Sequence, residues 1–180
     1  MYKVIFETTL PDLFVALVKD DHIVWTRHLL DCREKSENLP QVFQDLMSEN
    51  SLRADQISRY YVTLGPGSFM GSRASLVLAR SIALTTQAEL WVANTFSFIT
   101  NQVDGTYYLK ASKTQSYLGQ IENGRLNCQL VRLCPSEPFD YYRAFFKHPT
   151  KVLDHFKKAD NLAKLEPIYL KEPEAAVWKF

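Results

Sequence analysis

Residues 57–86 read ISRYYVTLGPGSFMGSRASLVLARSIALTT, and the succession of residue types along them decides the fold. Ile57 to Leu64 is a short run rich in aromatic and β-branched residues, the pattern of a buried strand. The glycines and proline of Gly65-Pro66-Gly67 break that strand. From Gly71 to Thr86 the chain is apolar over a length that calls for a helix. Between them lies a tight strand-to-helix turn: Gly65 and Gly67 accept positive backbone dihedrals, Gly71 permits close backbone approach, and Ser68 is placed to cap the helix.

Outward from this turn, three strands are expected first: Tyr2 to Thr8, Leu13 to Lys19 and His22 to Leu30, with Asp20-Asp21 as the turn between the last two. Ser36 can cap a helix whose apolar residues Leu39, Val42, Phe43, Leu46 and Met47 fall on one face, with Pro40 in its first turn. Beyond the long helix come a short strand, Leu90 to Ala93, and a helical turn at Phe96 to Thr100. The order β, β, β, α, β, α, β is that of a ribonuclease-H-like lobe of the actin-like ATPase superfamily, which also holds sugar kinases and heat-shock chaperones.

A hairpin of Tyr107 to Ser112 and Ser116 to Glu122, the turn Asn123-Gly124 and a strand from Leu126 to Leu133 suggest a reduced second α/β lobe. Two helices are expected there, over Phe139 to Lys147 and Val152 to Leu165, followed by a Pro-bounded tail from Pro167. The expected domains are thus residues 1–102 and 103–180.

With 180 residues and 46% apolar content the chain can bury one good core or two small lobes. Its 21 basic and 20 acidic residues give a net charge of +1 with no long block of either sign, so composition does not demand nucleic-acid binding. Cys32, Cys128 and Cys134 form no close pair, which suggests neither a disulfide framework nor a zinc site and fits a reducing cytoplasm. The opening MYKVIFETTL has no signal-peptide pattern, and no stretch approaches about 18 uninterrupted apolar residues, so a cytoplasmic protein without membrane contact is expected.

Few residues suggest chemistry. Amides at a helix start can hold phosphate, which makes Gly65, Gly67 and Ser68 candidate nucleotide contacts. On geometry alone the glycines serve equally to shape the turn, and no lysine follows as in a P-loop. Glu7 is the one acid placed at the end of the first strand. His22 and His28 are too far apart to chelate one ion, His148 and His155 flank Pro149, and all four read as surface or partly buried. Ser68 lacks nucleophile-elbow spacing. No catalytic residue and no metal ligand is assigned.

Leu64–Arg73 resembles the signature of the TsaB family, also called YeaZ, in which a strand ends in GRGPGSFTGxR before a helix; Leu64 and Met70 are the departures. Arg33–Met47, REKSENLPQVFQDLM, resembles the family's REHSQxLLPxVxxLL helix, with Lys35 where a histidine is usual. Pro167, Tyr169, Leu170 and Lys171 match the closing P-x-Y-L-R. The family's opening Asp-Thr stands here as Glu7-Thr8-Thr9, and its Asp-Ala-Arg hairpin as Lys110-Ala111-Ser112.

The resemblance implies a non-catalytic scaffold and activator. It would bind TsaD and support threonylcarbamoyl transfer to N6 of the adenosine 3′ to the anticodon in tRNAs reading ANN codons. TsaE would join through the TsaB–TsaD complex, tRNA would be reached indirectly, and the chain alone could form a homodimer. No tightly bound cofactor is expected, with ATP or ADP placed at the partner interface. The expected contact face comprises Leu39 and Phe43 on the first helix and Ser72, Ser75, Leu76, Ala79 and Ala83 on the second, where small residues would let a partner helix approach. The alternative is a small phosphotransferase or nucleotide hydrolase using Glu7 and the Gly65 to Ser68 turn. A metalloprotease would need an adjacent pair of metal-binding histidines, which the sequence lacks.

Overall fold

Strands buried on both faces carry apolar residues without interruption, and the first two strands show why. In β1 (Tyr2–Glu7), Val4 and Phe6 face one side and Ile5 the other; in β2 (Leu13–Lys19), Leu13, Val15 and Leu17 oppose Phe14, Ala16 and Val18. The structure is a computed structural model that describes residues 1–132 and 139–170.

β3 (His22–Leu29) completes an antiparallel meander through the Asp20-Asp21 turn, where both residues have positive φ. β4 (Ile57–Thr63) lies parallel to β1, and β5 (Glu89–Ala93) parallel to β4. The sheet therefore runs β3-β2-β1-β4-β5, the mixed order of the ribonuclease-H-like, actin-like ATPase fold.

One face of this sheet is covered by α1 (Lys35–Glu49) and α2 (Phe69–Thr86). Leu39, Val42 and Leu46 from α1, with Leu76, Ala79 and Ala83 from α2, close over Val4, Phe6, Val15, Tyr60 and Val62. The other face receives α3 (Thr95–Thr100) and a three-stranded antiparallel sheet of β6 (Gly105–Lys110), β7 (Ser116–Glu122) and β8 (Arg125–Val131). Gly119 of β7 lies flat on the Phe96 ring, where a Cβ would come within 2.6 Å of a ring carbon.

α4 (Arg143–Lys147) and α5 (Pro149–Leu153) finish that layer. Phe145 stacks on Phe98 at 5.4 Å and meets Phe14 edge-on at 5.7 Å. Each such fully buried ring is worth roughly 1.5–3 kcal/mol of transfer free energy. These contacts join the apolar residues on this face of the main sheet with those of the small sheet in one cluster, separate from the one under α1 and α2.

Three local expectations are corrected. α1 starts at Lys35 with Glu34 before it, so Ser36 lies inside the helix and caps nothing, while Pro40 falls beyond the first turn on the exposed side. The two helices expected over residues 139–147 and 152–165 are much shorter. Pro149 starts a new helix directly after α4, and beyond Asp154 the chain returns to the main sheet instead of coiling on. There β9 (Lys157–Lys158) pairs antiparallel with β5, and the Ala159 amide donates to the Leu90 carbonyl at 2.9 Å. Leu133, Cys134 and Lys171 lie outside the described residues, as does the tail after Leu170.

Candidate functional site

β1 and β4 are parallel neighbours, so their carboxyl ends meet at one edge of the sheet, where the chain also turns into α2. Glu7 stands at this point and is fully buried. Its Oε1 accepts from the Thr9 amide and hydroxyl, both at 2.6 Å, and from the Leu10 amide at 3.1 Å; its Oε2 accepts from the Thr63 hydroxyl at 2.5 Å. Burial pushes this carboxyl above the ordinary glutamate range, and the bonds from Thr63, Thr9 and Leu10 oppose that rise. Four donors of its own chain thus hold the carboxylate, three on Oε1 and one on Oε2.

The turn is built into the same knot. Ser68 caps α2, its hydroxyl accepting from the Gly71 amide at 3.1 Å, as its position at the helix start leads one to expect. The Ser68 amide, one of the candidate phosphate donors, instead donates to the Thr9 carbonyl at 2.7 Å. Gly65, at φ +112°, is the position that needs a glycine backbone, and a Cβ there would sit 2.7 Å from the Ile168 carbonyl oxygen. Gly71 lies against the Thr8 carbonyl, 1.8 Å from where its Cβ would be. Gly67 packs equally hard on Thr9.

Lys35, on the first turn of α1, closes the other wall. Its ammonium donates to the Thr8 carbonyl at 3.0 Å and to the Leu10 carbonyl, and burial lowers its pKa against the raising field of Glu7. Outside this knot lies a cleft of about 660 Å3, lined by Arg33, Ser68, Met70 and Lys110 among others. A metal-bound nucleotide does not fit the donors present. The strand-end carboxylate that would face the metal is turned inward, and the Ser68 amide is occupied. Among the described residues no three His, Cys, Asp or Glu side chains converge as a ligand set.

The expected partner face is also corrected. Ser72, Ser75, Leu76, Ala79 and Ala83 are at most 3% exposed, and Leu39 is 1% exposed. Phe43 is half-buried and packs on Phe6 at 5.7 Å and Tyr60 at 6.2 Å. The small residues of α2 do permit close approach, but what approaches is this chain's own α1, sheet and β1–β2 loop.

The opposite side of α2 is the open one. Met70, Val77 and Leu84 are 58%, 60% and 66% exposed, and a spacing of seven aligns them along one side with a drift of only about 20° per step. Their signal was in the sequence as apolar residues all round the helix; what periodicity left undetermined was the inward direction. One flank of this stripe is taken by the chain's later residues. Arg73 lies 4.1 Å from the Phe69 ring centroid and donates to the Tyr169 hydroxyl at 2.9 Å, and Arg80 donates to the Leu165 carbonyl.

Comparison with known proteins matches residues 31–174 to the family model described as TsaD, tRNA N6-adenosine threonylcarbamoyltransferase. The uncharacterized protein MG208 of Mycoplasma genitalium is 28% identical over 144 residues, covering 72% of this chain and 74% of that one. Its Mycoplasma pneumoniae homolog is 24% identical over the same shares. The structure of YeaZ from Pseudomonas aeruginosa superposes with a TM-score of 0.68 at 15% identity, covering 94% of this chain and 99% of the other. A family match over most of the chain and a fold shared from end to end place it plainly: the chain belongs to the tRNA N6-adenosine threonylcarbamoyltransferase (TsaD) family and carries the YeaZ (TsaB) fold.

Proposed function

We propose that this chain is the non-catalytic scaffold and activator subunit of a tRNA threonylcarbamoyladenosine-forming complex. It binds a TsaD subunit and supports transfer of the threonylcarbamoyl group to N6 of the adenosine 3′ to the anticodon in tRNAs reading ANN codons. The observation that carries the reading is the fate of Glu7: the acid at the end of β1 is buried and bonded to Thr9, Leu10 and Thr63. A carboxylate so held braces the turn into α2, which supports a structural role for it in place of a catalytic one.

The contact with TsaD is assigned to the outer stripe Met70, Val77 and Leu84, which the fold leaves uncovered. In the absence of TsaD the same stripe makes a homodimer. TsaE joins through the complex, and ATP or ADP is held at the interface with TsaD. The site of action is the cytoplasm, and among the described residues no helix is long and apolar enough to cross a membrane.

The test is to mix the purified chain with TsaD of the same organism and measure mass by light scattering after size exclusion. A heterocomplex that Val77→Arg with Leu84→Arg abolishes, in a variant that melts like wild type, is the expected result. No complex at micromolar concentration sinks the proposal. Nucleotide hydrolysis by the isolated chain, lost in Glu7→Gln, would favour the phosphotransferase alternative.

A further inference from the structure

The net charge of +1 conceals an uneven distribution. Residues 143–158, RAFFKHPTKVLDHFKK, hold five Lys or Arg and two His against one Asp. The fold sorts them: Phe145, Val152, Leu153 and Phe156 enter the core, while Arg143, Lys147, His148, Lys151, Lys157 and Lys158 are all exposed. The main sheet adds charge to the same surface. Period two puts Lys3 on the side of Ile5 and Arg59 on the side of Tyr61, the face on which α4 and α5 pack.

The result is a cavity of about 510 Å3 walled by Lys3, His22, Arg59, Lys147, His148 and Lys151, with Asp21 and Asp154 as its acids. Two of its cations are already paired, Lys3 with Asp21 at 2.8 Å and Arg59 with Glu89 at 2.9 Å. Lys147 and Lys151 have no ion-pair partner among the described residues. The cavity lies at the amino ends of β1 and β4, away from the Glu7 knot, and on the sheet face opposite α2. A subunit docked on α2 leaves it open.

We propose that this surface contacts the phosphate backbone of the tRNA directly. The proposal rests on the tRNA-modifying reading above and revises the expectation that tRNA is reached only through the partner. The centre of a protein–protein contact is apolar and poor in charge. Here the centre is cationic, with Lys147 and Lys151 exposed along it. Protein–nucleic-acid interfaces have the reverse character, polar and strongly positive.

The experiment measures binding of a fluorescent unmodified tRNA transcript to the full chain by anisotropy across a salt series. Lys147→Glu with Lys151→Glu is compared with wild type and with Arg125→Glu with Arg132→Glu, an equal charge change at the start of β8 and just past its end. We expect saturable binding that the α4–α5 variant weakens at least about tenfold at 0.1 M salt, with the slope of log K against log salt reduced by about 1.5. The β8 variant should bind like wild type. Equal losses in both variants, no loss in the first, or no binding by wild type would each overturn the proposal, as would equal displacement of the tRNA by polyglutamate. Complex formation with TsaD is measured on the same variants, and it should be unchanged. Loss of tRNA binding and loss of the scaffold role therefore read out separately.

Discussion

The two sides of α2 differ in side-chain size and have opposite fates: small residues are buried and large apolar ones are exposed. Its inner side is built of Gly71, Ser72, Ser75, Ala79 and Ala83, all buried, and its outer side of Met70, Val77 and Leu84, all more than half exposed. Small residues mark where backbone must approach backbone within the chain; large ones mark what the chain does not cover. An apolar helix surface is therefore informative about a partner only after its own fold has claimed its share.

Substitutions on the inner side should be ruinous and those on the outer side silent in isolation. Ala79→Arg buries an unpaired charge between α2, α1 and the sheet, and should cost more than about 4 kcal/mol, read as loss of cooperative thermal unfolding. Gly71→Ala must displace the Thr8 carbonyl that occupies the Cβ position, costing about 2–3 kcal/mol by denaturant titration. At dilutions where the chain is monomeric, the outer pair Val77→Arg with Leu84→Arg should change stability by no more than about 0.5 kcal/mol, and a larger loss would show that the stripe is already covered within the monomer.

The Glu7 knot beneath the inner side supplies a pH test of smaller amplitude. Its folded pKa is raised, so the folded state holds a proton that the unfolded state has released in the window above 4.5. Stability from this group is then complete below 4.5 and declines as pH rises through the folded value. Relative to Glu7→Gln, which cannot ionise, the wild type should gain melting temperature as pH is lowered from 7 towards 5. An unchanged difference would place the carboxyl in ordinary contact with solvent.

Much of this was legible in the chain. The meander, the two parallel strands and the Asn123-Gly124 turn follow from period-two patterning and turn chemistry, and Ser68 caps α2 where its place in the turn suggests. The phase of α2 was not legible, because periodicity says which residues share a side and not which side meets the sheet. Residues 139–147 and 152–165 each show helical spacing, yet Phe145 reaches the core from a five-residue helix, Phe156 from the connection after α5, and Lys157–Lys158 pairs with β5. Glu7 was visible as a strand-end acid, but its partner Thr63 lies 56 residues away and nothing local announces the bond. The basic cavity likewise draws on Lys3, Arg59 and Lys147, residues that only the sheet brings together.

The strap of residues 157–169 sets an order of events during synthesis. β9 covers the edge of β5, the Ile168 amide closes on the Leu64 carbonyl at 2.7 Å, and Tyr169 holds Arg73 on α2. The N-terminal half of the chain therefore leaves the ribosome with its β5 edge bare and its Gly65 turn unlatched, and stays so until residues 157–169 have emerged. A nascent chain stalled before residue 157 would present that open edge to its neighbours, making the emergence of the strap the step that protects the β5 edge from aggregation.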